Sequence, residues 1–168
     1  MQNFVGKQIS HYHILEQIGI GGMAVVYKAF DLHLQKDVAL KLIRTEEIPP
    51  SQYERLMHRF KREAQAQARF KHPHIVPALD YGEFDGVPYL VLAYMPNGTL
   101  KDRMKGEMDV IEALSILTPI ADAVTYAHRM GVLHRDIKPS NILFSVDDMP
   151  LLTDFGIAKI LETTDATL

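Results

Sequence analysis

The sequence predicts an α+β protein in which a five-stranded antiparallel sheet carrying one helix is followed by a mainly helical part. Three observations predict it. Short apolar and β-branched runs between His13 and Arg44 alternate with Gly-rich and polar turns, the pattern of an antiparallel meander. A single long amphipathic segment opens after Pro49-Pro50, and beyond Met95-Pro96-Asn97-Gly98 the apolar spacing turns helical.

In chain order, Ile14-Leu15, Val25-Val26-Tyr27 and Val38-Ala39-Leu40 mark three strands. Ser51, with Glu54 three residues later, is a capping-box signature for a helix running to about Lys71, before His72-Pro73. Two further strands follow, near Ala78 to Tyr81 and Pro88 to Tyr94, the second continuously apolar and so expected to be buried. Met95 to Gly98 is turn chemistry, read as a hinge between residues 1–94 and 99–168. A short turn at Leu100 to Lys105 precedes a long helix from about Val110 to Met130, opened by Asp109 and closed by Gly131. Pro119 inside it removes a backbone hydrogen bond and predicts a kink or a boundary.

With 47% hydrophobic and 23% charged residues, the 168-residue chain reads as globular rather than disordered. A net charge of −3 supplies no basic field, which argues against nucleic acid or an anionic membrane surface as partner. The absence of cysteine excludes disulfides, thiolate metal sites and cysteine nucleophiles. No signal-like N-terminus and no uninterrupted apolar run approaching ~20 residues is present, so the expectation is a cytoplasmic chain without a membrane segment, although a longer product could carry an anchor.

The chemistry concentrates in His134-Arg135-Asp136, with Asn141 five positions past the aspartate and Asp154-Phe155-Gly156 thirteen past the asparagine. Transferring a phosphoryl group from a nucleotide to a hydroxyl needs one carboxylate to orient the hydroxyl and accept its proton, and oxygen ligands for the magnesium that neutralises the phosphates. Asp136, Asn141 and Asp154 supply those groups. His134 reads as structural, since no second histidine lies at helical spacing for zinc and His72-x-His74 sits in a Pro-containing loop. Arg135 beside Asp136 could be only a surface ion pair and Asp154-Phe155-Gly156 only a turn, but their joint spacing with Lys138 and Asn141 argues against both.

Ile18-Gly19-Ile20-Gly21-Gly22-Met23-Ala24-Val25-Val26 places glycines where a backbone could approach phosphate oxygens, and taken alone it fits a plain Gly-rich hairpin equally well. It leads into a β-branched run rather than a helix, which disfavours a dinucleotide fingerprint. Lys41 shares a strand face with Ala39. Glu63 falls in the stripe Leu56, Phe60, Gln67, Phe70, where a charge must find a partner or become neutral. The expectation is that Glu63 pairs with Lys41 and aims its ammonium at the α- and β-phosphates. A solvated Glu63 and a snorkelling Lys41 are the alternative.

Together, Gly19-x-Gly21, Val38-Ala39-Leu40-Lys41, Glu63, His134-Arg135-Asp136-Ile137-Lys138-Pro139-Ser140-Asn141 and Asp154-Phe155-Gly156 closely resemble the protein kinase family, in its bacterial serine/threonine branch of eukaryotic type. The resemblance implies a kinase-like bilobal fold with ATP and Mg2+ as cofactors and a protein substrate offering a serine or threonine hydroxyl. It implies Asp136 as catalytic base, Lys138 steadying the transferring phosphoryl group, and Asn141 and Asp154 as magnesium ligands. The glycine loop from Gly19 through Ile20, Gly21, Gly22 and Met23 to Ala24 would cover the phosphates. The adenine would lie between Ile18, Val26 and Ala39 above and Leu143 below, with Leu92 as gatekeeper and the backbones of Ala93 and Met95 bonding the base. Ala24 departs from the family's third glycine without removing a backbone donor. Thr163, Thr164 and Thr167 are candidate autophosphorylation sites, with Arg135 to receive the charge. The chain ends before the family's Ala-Pro-Glu segment and later helices, so the expectation is a truncated kinase domain whose Leu114, Leu117 and Val124 lack cover. The alternatives are a catalytically incompetent module that binds nucleotide or a partner, and, less well matched by Lys138 to Asn141, a small-molecule phosphotransferase.

Overall fold

The computed structural model describes residues 3–21, 24–45 and 48–155. The described residues divide into two compact units: those up to Ala68 together with Ala78–Tyr94, and Arg69–Pro77 together with residues 95–155.

The first unit is built on a six-stranded antiparallel sheet in the order β1 (Gln8–Ile9), β2 (Tyr12–Ile20), β3 (Ala24–Asp31), β4 (Lys36–Ile43), β6 (Val87–Ala93), β5 (Ala78–Phe84). The five expected strands are all present. The sixth, β1, is a two-residue edge strand pairing Gln8 with His13 and Ile9 with Tyr12, too short to leave a periodic pattern. Strand alternation sorts the sheet's two faces. One packs Tyr27, Ala29, Val38, Leu40, Leu42, Tyr89 and Val91 into a core with Ile9, Tyr12 and Ile14. The registers Lys41 with Val26 and Leu90, and Ala39 with Leu92, put those five residues on the opposite face.

Helix α1 spans Pro50–Ala68 and buries Leu56, Met57, Phe60, Ala64 and Gln67. It differs from the sequence reading at both ends. Pro50 opens it, where a missing N–H costs nothing, so Ser51 lies inside the helix and does not cap it. It stops three residues short of Lys71 because Phe70 belongs to the core of the other unit.

The second unit packs Phe70 and Ile75 against α2 (Leu100–Arg103), α3 (Val110–Arg129) and a hairpin, β7 (Ile142–Phe144) with β8 (Pro150–Leu152). Thr99 caps α2 through a reciprocal box with Asp102, and the Asp109 side chain caps α3. Helix α3 runs unbroken through Pro119, and Gly131, at φ 76, takes the left-handed position that ends it. By length and apolar content α3 resembles a membrane span, yet it places Ile116, Ile120, Ala123 and Ala127 in this core. Val124 also packs against that core, contrary to the expectation that it lacks cover, whereas Leu114 and Leu117 are more than half exposed. The segment 74–76 runs beside β8, with Val76 N donating to Leu152 O at 2.9 Å and Leu152 N to His74 O at 2.9 Å.

Gly82 faces Tyr89 across β5 and β6, and a Cβ there would stand 2.5 Å from the Tyr89 hydroxyl oxygen and 2.6 Å from its ring carbon Cζ. Gly82→Ala must therefore push a buried ring out of place, and chemical denaturation should show a loss of roughly 1–3 kcal/mol.

Candidate active site

The second unit assembles its polar centre around His134, which is 2% exposed. Its Nε2 donates to the Thr153 carbonyl at 2.7 Å, and its Nδ1 accepts the Asp136 backbone N–H at 3.2 Å. Only the neutral ring protonated at Nε2 satisfies both. Burial pushes the imidazole pKa down from 6.5, against the opposing pull of the Thr153 carbonyl and nearby carboxylates.

Asp136 stands next to this ring. Lys138 Nζ lies 2.7 Å from Asp136 Oδ2, and Asn141 Nδ2 donates both to that oxygen at 3.1 Å and to the Asp136 backbone carbonyl at 2.8 Å. Lys138 foremost, with Asn141 assisting against some desolvation, holds the Asp136 carboxyl below the usual carboxylate range, so it is ionised at neutral pH.

Asn141 ends a 3-10 turn, Pro139–Asn141, that leads directly into β7, and Asp154 follows two residues after β8. Pairing of Ile142 with Leu152, together with Thr153 N donating to Asn141 O at 2.9 Å, brings the start of one strand beside the end of the other. The hairpin thereby carries a carboxamide and a carboxylate to the same end. That donor set suits magnesium, which takes one or two protein oxygens and completes its shell with phosphate and water. Among the described residues no group of three or more His, Asp or Glu forms a dedicated metal cage. His72 and His74 are engaged otherwise, His72 Nε2 with Asp122 Oδ2 at 3.1 Å and His74 Nδ1 with Pro150 O at 2.8 Å.

In the first unit Lys41 is 6% exposed on β4, on the sheet face it shares with Val26, Ala39 and Leu92, and Glu63 lies half-buried on α1. Gly21 N donates to Ala24 O at 2.8 Å across the tip of β2 and β3, while Gly22 and Met23 lie outside the described residues. A Cβ added at Gly19 or Gly21 would meet nothing closer than 3.6 Å, and neither residue has a left-handed φ. The fold among the described residues does not demand glycine at either position. Ile18 and Ile20 are exposed, Leu92 and Ala24 buried, and Ala93, Met95 and Leu143 half-buried. Gly156 and Thr163, Thr164 and Thr167 lie outside the described residues.

The Thr153 carbonyl as partner of His134, and the hairpin joining Asn141 to Asp154, escaped the sequence reading. Strands of three residues leave no periodicity to detect.

Within the second unit, a paired-up carboxylate and a carboxamide, with a second carboxylate at the end of the same short hairpin, make a donor set of the phosphotransferase class. The protein kinase domain model matches residues 12–167, and the chain belongs to that family. It is 42% identical over 166 residues to the serine/threonine-protein kinase PrkC of Bacillus subtilis, covering 97% of this chain and 25% of PrkC. It is 40% identical over 166 residues to the serine/threonine-protein kinase PknH of Mycobacterium tuberculosis, covering 98% of this chain and 26% of PknH. The chain thus spans about a quarter of the length of these relatives. Among solved structures, the PknI kinase domain of M. tuberculosis superposes with a TM-score of 0.78 at 34% identity, covering 92% of this chain and 61% of that one. These likenesses agree with the α+β, kinase-like fold class expected from the sequence.

Because the native state holds His134 neutral, acid favours the unfolded chain, which takes up the proton first. The contribution of His134 is complete above pH 6.5 and is lost as pH falls below it. The stability difference between wild type and His134→Asn, followed by melting across pH 5 to 8, should therefore shrink on acidification. A difference independent of pH would contradict the neutral assignment.

Proposed function

We propose that this chain is the nucleotide-side part of a serine/threonine protein kinase that transfers the γ-phosphoryl group of ATP, with magnesium, to hydroxyls of a protein substrate. The observation that carries the reading is the Asp136 network. Lys138 and Asn141 both engage Oδ2, so Oδ1 accepts no bond among the described residues and is left to orient an incoming hydroxyl.

In this reading Asp136 positions the hydroxyl and takes its proton, and Lys138 steadies charge on the phosphoryl group in flight. Asn141 and Asp154 would hold magnesium, which when bound neutralises the phosphates. Glu63 aims Lys41 at the α- and β-phosphates, and the Gly19 to Ala24 loop supplies backbone N–H groups. Ile18, Val26, Ala39 and Leu143 sandwich the base, Leu92 limits its depth, and the Ala93 and Met95 backbones bond its edge. Residues 1–94 act as the small lobe, 95–98 as hinge and 99–168 as the start of the large lobe, in a cytoplasmic domain. Thr163, Thr164 and Thr167 are the proposed autophosphorylation sites, tested by phosphopeptide mapping.

A second reading, a module that binds nucleotide without turnover, draws on the exposed Val110, Ile111, Leu114 and Leu117 on α3. An ATP-dependent melting shift without phosphate transfer supports it.

Asp136→Asn should abolish phosphorylation of a generic protein substrate while leaving the nucleotide-dependent melting shift in place. Undiminished transfer by the variant would refute the assignment. A second expectation concerns pH. Lys138→Ala removes the largest influence holding the Asp136 pKa down, so the acid limb of its residual kcat/KM profile should move to higher pH than that of the wild type. An unmoved limb would show that Lys138 does not govern the Asp136 charge.

A further inference from the structure

Arg103, the last residue of α2, touches both the linker and the β7–β8 hairpin. Its guanidinium carbon stands 3.4 Å over the centroid of the Phe144 ring on β7. Nη1 donates to Asp148 Oδ2 at 3.0 Å, Nη2 bonds Asp148 Oδ1, and Nη2 also reaches the Asn97 backbone carbonyl at 3.5 Å. Asp148 is set for this fork in a left-handed backbone position, φ 61, in the turn between β7 and β8.

The same linker residues are stitched to the same hairpin through their backbones. Asn97 N donates to Phe144 O at 3.3 Å, Phe144 N to Gly98 O at 3.0 Å, and Asn97 Nδ2 to Ser145 O at 2.8 Å. An isolated exposed ion pair contributes little. Here one planar cation serves a ring face, a carboxylate fork and a carbonyl together, a combination that a lysine ammonium has no geometry to reproduce.

We propose that Arg103 is a positioning residue for nucleotide binding: it locks the linker backbone at Asn97 and Gly98 to the β7–β8 hairpin, whose Leu143 floors the base subsite. The inference rests on the kinase reading for the identity of the ligand. Among the described residues Arg103 bonds the linker and the hairpin turn and not Asp136, Lys138 or Asn141, so its loss should weaken ground state and transition state alike.

The test titrates the full chain with Mg-ADP and, separately, with inorganic triphosphate, which lacks the base. In Arg103→Gln, ADP affinity should fall about three- to tenfold, the span of one cation–π and fork contact, while triphosphate affinity stays unchanged. Arg103→Lys should recover only part of the loss. Asp148→Asn, at a mostly exposed site that tolerates change, should fall in the same direction by less. In phosphotransfer assays KM for ATP should rise with kcat unaltered. A wild type that binds ADP beside an Arg103→Gln variant of equal affinity overturns the inference alone, as does an equal loss for ADP and triphosphate, which would mark general loosening. A wild type that binds no nucleotide overturns both this and the kinase reading.

Discussion

The bond from His134 Nε2 to the Thr153 carbonyl, 2.7 Å long and closed to water, is the constraint around which the polar centre is arranged. It joins two chain segments that the sequence separates by the whole β7–β8 hairpin. Since the other ring nitrogen already accepts the Asp136 N–H, the imidazole has no second way to sit. The aspartate is fixed from one side of the ring, and the strand end that carries Asp154 from the other. Removing the ring would strand a donor and an acceptor in a region without water, and each such group costs about 1–3 kcal/mol. The Phe155 ring, 4.6 Å from His134 and 5.0 Å from Phe70, closes that region with apolar surface.

Strain flanks the bond on both sides. Arg135, next to His134, has φ 65, and Asp154, next to Thr153, has φ 63. Left-handed backbone at a residue other than glycine costs on the order of 1–3 kcal/mol, less for aspartate, whose short polar side chain tolerates it. Such conformations persist only where the surroundings over-determine them. The His134 bonds, the Asn141 bonds to Asp136 and the hairpin register provide that over-determination. A relaxed loop would turn the carboxylates elsewhere, so in the proposed function this strain would serve to aim them.

What the sequence reveals and what it hides follow the range of each signal. Asp136, Lys138 and Asn141 lie within one short loop, so their residue types and spacing were legible together, and the structure brings the three into contact. Lys41 could be assigned a sheet face because strand alternation is local, and the register with Leu90 and Val26 shows the same face. The end of α1 was misread because Phe70 continues the apolar step of the helix, although its ring packs into the second unit beside Tyr126. The Ser51 and Glu54 signature misled for a similar reason, since Pro50 starts the helix one residue earlier. The β7–β8 hairpin and the Arg103 fork depend on pairs distant in sequence, and no local period encodes them.

The electrostatics of Asp136 bear on what kind of catalyst the proposed reaction has. A general base works best when its pKa lies near the working pH, and Lys138 moves this carboxyl the other way. The network therefore gives up basicity. What it gains is a carboxylate held ionised and oriented, with one oxygen occupied by Lys138 and Asn141. That exchange suits phosphoryl transfer through a loose transition state, where little proton transfer is needed before the phosphoryl group has largely left its donor and where positioning and charge stabilisation dominate. In the proposed reaction the same lysine that weakens Asp136 as a base would carry the positive charge that the transferring phosphoryl oxygens require. One contact would then serve two ends, and at 2.7 Å it is the shortest of the polar distances described at Asp136.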